Sequence, residues 1–123
     1  MDTRKKLAEL EEEEMMQPVL ENRKAIPVFN GVLMYFPDAI REVAKCSQAG
    51  NNQHHSDKPL HWDRSKSGDE LDALTRHLLE VGTMDTDGVK HSAKVAWRAL
   101  ANLQKELERE GKAPLSKYNN ICQ

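Results

Sequence analysis

The segment VKHSAKVAWRALANLQKELERE, Val89 to Glu110, constrains this chain more than any other. It holds neither Gly nor Pro and is followed at once by Gly111, so it predicts one long helix, with Asp87 placed to cap its start. Ala93, Ala96, Trp97, Leu100, Leu103 and Leu107 recur at steps of three and four along one side. Val95 and Ala99 fall well round the cylinder. A helix apolar over so wide an arc is either central in its domain or shared with a second subunit. Only three or four helices are available to cover it, which favours an oligomer.

The other elements follow from similar signals. Pro37 suits a first helical position, and Phe36, Ile40, Val43, Ala44 and Ser47 make one face of a helix expected to stop at Gly50. Ser67 to Glu70 has the form of a capping box. It opens a helix expected to turn Leu71, Leu74, Leu78 and Leu79 inward and to end at Gly82. Asn30-Gly31 reads as a turn after an extended piece from Ile26 to Phe29. Thr3 to Met16 reads as a short acidic helix, broken by Pro18, with Glu11 to Glu14 on a solvated face. Between the first two core helices, residues 51–66 are polar, contain Pro59 and are long for a connection in a compact domain. No stretch alternates in the strand manner, so the class is all-α. The organisation is an acidic helix over 1–24, a domain over 25–111 and a loose tail over 112–123.

Composition removes several functions. The 123 residues carry a formal charge of −2, against the basic excess that gripping a nucleic-acid polymer requires. Charged residues are 31% of the chain, which fits solvated helices. Cys46 and Cys122 make no disulfide framework and read as free thiols. The opening MDTRKKLAELEEEE is too charged for a signal peptide, and no apolar run approaches membrane-spanning length, so a soluble cytoplasmic protein without a membrane partner is expected.

Three groups of residues can carry chemistry. Asp38 and Glu42 are four apart on the first core helix, and Asp69 and Asp72 three apart on the second, so each pair shares a face. Two helices offering carboxylate pairs can hold Mg²⁺ or Mn²⁺, which take oxygen ligands and bind phosphate at the same time. Both pairs also lie largely opposite the apolar stripes, where solvated acids normally sit. In the loop, Trp62 can stack on a base while Lys58, Arg64 and Lys66 take phosphate charge; equally, Trp62 can plug the core. Finally, Asp87 and His91 open the long helix and His77 lies on the helix before it. A lone helical His is usually structural, but two beside acids bring a metal hydrolase into view. His54, His55 and His61 lack the cysteines and spacing of a zinc site.

The segments PVFNGVLMYFPDAIREVAK, KPLHWDRSKSGDELDALTRHLLE and DTDGVKHSAKVAWRALANLQKELE resemble the N-terminal domain of phage dATP/dGTP diphosphohydrolases. That family is related to the MazG-like all-α nucleoside triphosphate pyrophosphohydrolases. The likeness covers roughly Pro27 to Glu108. It implies a bundle of about four helices completed as a homodimer or homotetramer. The implied reaction is Mg²⁺- or Mn²⁺-dependent hydrolysis of dGTP, dATP or their ribose counterparts to monophosphate and pyrophosphate, in phage nucleotide-pool or modified-base metabolism. Against the MazG-like ExxE and ExxD pattern, Asp69-Glu-Leu-Asp72 resembles the second half. Glu42 resembles part of the first, with Lys45 where an acid stands and Asp38 a substitute from the other side. The resemblance thus implies metal ligation by Asp38, Glu42, Asp69 and Asp72 and catalysis by Glu42, Asp72 and Lys45. Lys45, Lys94 or Arg64 would balance charge on pyrophosphate, and Asn51 or Trp62 would meet the base. Two other classes compete: a non-catalytic helical oligomerisation module, and a histidine–aspartate type phosphohydrolase built on His77, Asp87 and His91.

Overall fold

The computed structural model describes residues 3–4, 23–54, 56–64 and 68–117. Most of the helix expected from Thr3 to Met16, together with Lys66, Ser67 and Cys122, lies outside them. The chain divides into two units, 1–35 and 36–123.

In the first unit a 3₁₀ turn, Arg23–Ala25, precedes a wide π-helical turn, Phe29–Leu33. Asn30 and Gly31 therefore lie inside a helical turn, and Phe29 belongs to it too, where an extended piece and a tight turn were expected. The Gly31 amide donates to Pro27 O at 2.6 Å, and a β-carbon on Gly31 would sit 3.1 Å from the Pro27 ring. The glycine permits that close approach.

Among the described residues of the second unit lie three α-helices: α1 (Pro37–His54), α2 (Glu70–Leu78) and α3 (His91–Arg109). The architecture is a small all-α bundle; among the described residues the nearest thing to a strand is an isolated bridge between Met84 and Lys90. As its periodicity predicts, α3 is the central element, packing against α1 and more extensively against α2. The buried apolar residues are small ones: Ala73, Val89, Ala93, Ala101 and Ala113. Small side chains let α2 and α3 approach closely, so polar groups between them must find partners in each other.

The helix ends show where tertiary contacts override local signals. α1 starts at Pro37 but runs through Gly50 to His54. Gly50 keeps an ordinary φ, and glycine inside a helix costs only about 1 kcal/mol. Beyond it, Asn51 is buried and gains two bonds: its amide donates to Lys58 O at 3.1 Å and accepts from His61 N at 3.3 Å. On α2 no side-chain cap bond forms; Asp69 is the N-cap, and Glu70 turns inward instead. Leu71, Leu78 and Leu79 point outward, because the face that packs is the one bearing Glu70, Ala73 and His77. Leu100 and Leu103 of α3 are half exposed as well. The end of α3 follows expectation: Gly111 takes φ +69°, its amide bonds Glu108 O at 3.1 Å, and Lys112 N bonds Leu107 O at 2.8 Å, a Schellman closure. Past it, Ala113 and Ser116 are buried, and Ser116 donates to Glu108 Oε1 at 3.3 Å.

Candidate functional site

The α2–α3 interface carries charge at both ends, organised differently. At the end where α2 starts, Glu70 is buried against Lys105, whose Nζ reaches its two oxygens at 3.3 and 3.2 Å, with Arg98 at 3.8 Å. Arg64 binds Glu108 at 3.0 Å and lies 4.2 Å over the Trp62 ring. Trp62 in turn meets Trp97 edge-on, with centroids 5.3 Å apart. The Trp97 indole donates to Ser47 at 2.7 Å, tying α3 to α1. Trp62 and Arg64, candidates for base and phosphate, are thus brought onto α3 as packed, half-buried groups, and Asn51 serves as the anchor of their loop.

An open cleft of about 320 Å³ adjoins this end, lined by Asp69, Glu70, Asp72, Asn102, Lys105 and Arg109 among others. Asp69 and Asp72 therefore share a depression with two cations. Asp69 binds Arg76 at 3.2 Å, and that bond holds its carboxyl below the usual range. Glu42 binds Lys45 one turn on at 2.7 Å, which lowers its carboxyl too. Asp38 lies exposed in the first turn of α1. Within one chain the four acids form no common group of ligand atoms: among the described residues, the group of three that could share an ion is His77, Asp85 and His91.

That group occupies the other end of the interface. His77 comes from the last turn of α2 and His91 is the first residue of α3, buried. Their rings are tilted at 34°, with Nδ1 to Nδ1 at 2.9 Å. The turn between the helices supplies Asp85. Its amide bonds Val89 O at 2.9 Å, Gly88 N bonds Asp85 O at 3.0 Å with φ +79° at Gly88, and His91 N reaches back to Thr83 O at 3.1 Å. A left-handed residue closes such a turn, and glycine takes that conformation freely. Asp87 caps the turn by accepting the Val89 amide at 3.1 Å, two residues before the helix it was expected to cap.

Lys94, one turn into α3, donates to Asp85 at 2.6 Å and to Asp87 at 2.7 Å. The Lys94 bond, with the Thr86 amide, lowers the Asp85 carboxyl to about 2. Burial works against the charge on Asp87 and on Lys94, but their mutual bonds outweigh it, leaving Asp87 lowered and Lys94 raised. Burial, then the nearby Lys94 and His91, lowers His77, which favours its neutral imidazole. A neutral imidazole and an ionised carboxylate are the forms that ligate metal. Sequence reasoning singled out His77, Asp87, His91 and Lys94 but not Asp85. Its signal was present in the Asp85-Thr-Asp87-Gly turn before a helix, which returns the first acid toward the histidines. Cys46 is a free thiol raised by burial, hence a poor nucleophile.

The chain belongs to the family described as dATP/dGTP diphosphohydrolase, N-terminal, whose model matches residues 22–114. No curated protein and no solved structure matches it. No helix among the described residues is long and apolar enough to cross a membrane.

Proposed function

We propose that this chain hydrolyses dGTP, dATP or both to the monophosphate and pyrophosphate, with Mg²⁺ or Mn²⁺ as cofactor and in a homo-oligomer. The observation that carries the reading is the family match over 22–114, which spans α1 to α3. The cleft beside α2 supports it: Asp69 and Asp72 offer oxygen ligands on one wall, while Asn102, Lys105 and Arg109 offer donors to phosphate. A bound divalent ion supplies charge neutralisation on the phosphate oxygens and activation of water.

In this reading water attacks the α-phosphorus and the bond to the β-phosphate oxygen breaks. Pyrophosphate leaves, and the proton passes to a carboxylate, for which Glu42 and Asp72 are the candidates. Lys45 and Lys94 are candidates to meet the charge on the leaving group. A second copy would complete the ligand set by setting an Asp38–Glu42 face against an Asp69–Asp72 face. The half-exposed Leu100 and Leu103 give it apolar surface to cover.

The test is incubation of the protein with each dNTP and Mg²⁺ or Mn²⁺, separating nucleotides from pyrophosphate. dGMP or dAMP with equimolar pyrophosphate is expected, and it should fall at least tenfold in Asp72→Asn. Absence of turnover with any purine triphosphate overturns the reading. Release of nucleoside with inorganic triphosphate would replace it with histidine–aspartate type chemistry.

A further inference from the structure

We propose that His77, Asp85 and His91 form an imidazole-rich centre for one borderline divalent transition ion, of the Zn²⁺ or Co²⁺ class, that discriminates against Mg²⁺. The site is separate from the carboxylates assigned to the nucleotide reaction, and nothing in it depends on that reaction.

The geometry comes first. Two ligand bonds of about 2.1 Å set at the tetrahedral angle span about 3.4 Å. The two Nδ1 atoms stand 2.9 Å apart and Asp85 Oδ2 lies 4.0 Å from His91 Nδ1, on either side of that span by about half an ångström. All three ligand atoms fall within 4.8 Å of one another. Without an ion, one ring nitrogen donates to the other, so a single proton holds the pair together. An ion needs both Nδ1 lone pairs, which a tautomer change in the donating ring provides without loss of a proton.

The surroundings are those of a metal centre. Ligating histidines usually offer their second nitrogen to a carboxylate, and His91 Nε2 faces Glu80 Oε2 at 3.7 Å. Lys94 donates at 2.6 Å to the same Asp85 Oδ2 that faces His91, which fixes the carboxylate beside the rings and leaves that oxygen a further lone pair. Asp85, Asp87 and Glu80 set against Lys94 leave a formal charge of −2, which one divalent ion cancels. His77 and Asp85 are half-buried rather than enclosed, so solvent reaches two of the three ligands.

The choice of ion follows from the donors. Two imidazoles and one carboxylate suit Zn²⁺, Co²⁺, Fe²⁺ and Ni²⁺, whereas Mg²⁺ demands near-octahedral oxygen and keeps its water. The test is a titration of chelator-stripped protein with Co²⁺, followed by the visible d–d absorption of the bound ion and by calorimetry with Zn²⁺ and Mg²⁺, with no nucleotide present. One Co²⁺ per chain with the intense visible absorption of nitrogen ligation is expected, apart from any weakly absorbing Co²⁺ on the carboxylates, displaced by Zn²⁺ and not by a hundredfold excess of Mg²⁺. His77→Gln and Asp85→Asn should each weaken binding at least tenfold, and Asp72→Asn should leave it unchanged. His91 is buried, so His77→Gln, at a half-buried position, is the variant that decides if His91→Gln fails to fold. The proposal is overturned by the absence of stoichiometric Co²⁺ binding, by equal competition from Mg²⁺, or by binding that survives both substitutions. Failure of nucleotide hydrolysis alone would leave it standing.

Discussion

The two ends of the α2–α3 interface use similar residue types to opposite effect. Where α2 begins, each buried carboxylate meets cations: Glu70 has Lys105 and Arg98, and Glu108 has Arg64. Where α2 ends, the cation Lys94 is held by two carboxylates of a turn, and two imidazoles face each other beside it. The first arrangement closes on itself and locks the Trp62 loop to α3. The second leaves ring nitrogens whose mutual bond an ion can replace. Charge in a helical interface is therefore diagnostic of function only through its partners: paired with opposite charge it holds the fold, and gathered with neutral donors it is open to a ligand.

The largest effect should come from breaking the closed end. The Glu108 side chain is only 7% exposed, against 21% for Arg64, so Glu108→Ala removes a carboxylate that Arg64 meets in a largely dry setting. A loss of about 3 kcal/mol in urea unfolding is expected, since removing one partner of a buried pair costs about that much. Co²⁺ binding by the folded fraction should not change. If the ion affinity fell with Glu108→Ala, the two ends would be one cooperative unit and the comparison would fail.

A smaller effect is expected at Trp97, where the indole bond to Ser47 can be removed without the ring. Trp97→Phe and Ser47→Ala should each cost about 1 kcal/mol, and the double variant little more than either alone. Additive losses would mean that α3 is tied to α1 by packing, and that the bond contributes nothing of its own.

The open end should reveal itself through acid. In the ion-free protein His77 titrates below the ordinary 6.5, so the unfolded chain takes up its proton first and stability declines as pH falls below about 6.5. Asp85 is lowered from 3.8 to about 2, so its contribution is complete above about pH 4 and is lost between there and pH 2. Melting curves should thus show two acid steps. His77→Gln should remove the upper one, and Asp85→Asn should weaken the lower one while lowering stability at neutral pH. A single step, unchanged in either variant, would show that neither group is perturbed by its surroundings.

These residues also show what the sequence discloses about such a fold. The long α3 and its Gly111 closure, and the start of α1 at Pro37, depend on local periodicity and backbone chemistry, which a sequence displays directly. The run of α1 past Gly50 was not legible, because it depends on Asn51 finding Lys58 and His61 across a loop. The same holds for α2. Ser67 and Glu70 match a cap by spacing, yet Glu70 is taken by Lys105, thirty-five positions away. That choice turned Ala73 and His77 inward and left Leu71, Leu78 and Leu79 outside. The pairing of His77 with His91 was half legible as two histidines near acids. Asp85 joined them only once the Gly88 turn folded back.

The smallest effect on stability is expected where the proposed reaction is most exposed. Asp69 and its partner Arg76 are both more than half exposed, and water screens such a pair so well that it adds nothing measurable to folding. Asp69→Asn should leave the melting temperature unchanged, as should Glu42→Gln, whose Lys45 partner is likewise solvated. Both substitutions nevertheless remove a carboxylate assigned to Mg²⁺ or Mn²⁺, so each should reduce kcat for purine dNTP hydrolysis at least tenfold while the Co²⁺ titration stays as it was. Unchanged turnover in both variants, with loss in His77→Gln instead, would move the reaction from the acidic face of α2 to its histidine end. Exposed acids that contribute nothing to stability and much to turnover would be free to face a second subunit, which is where the proposed oligomer needs them.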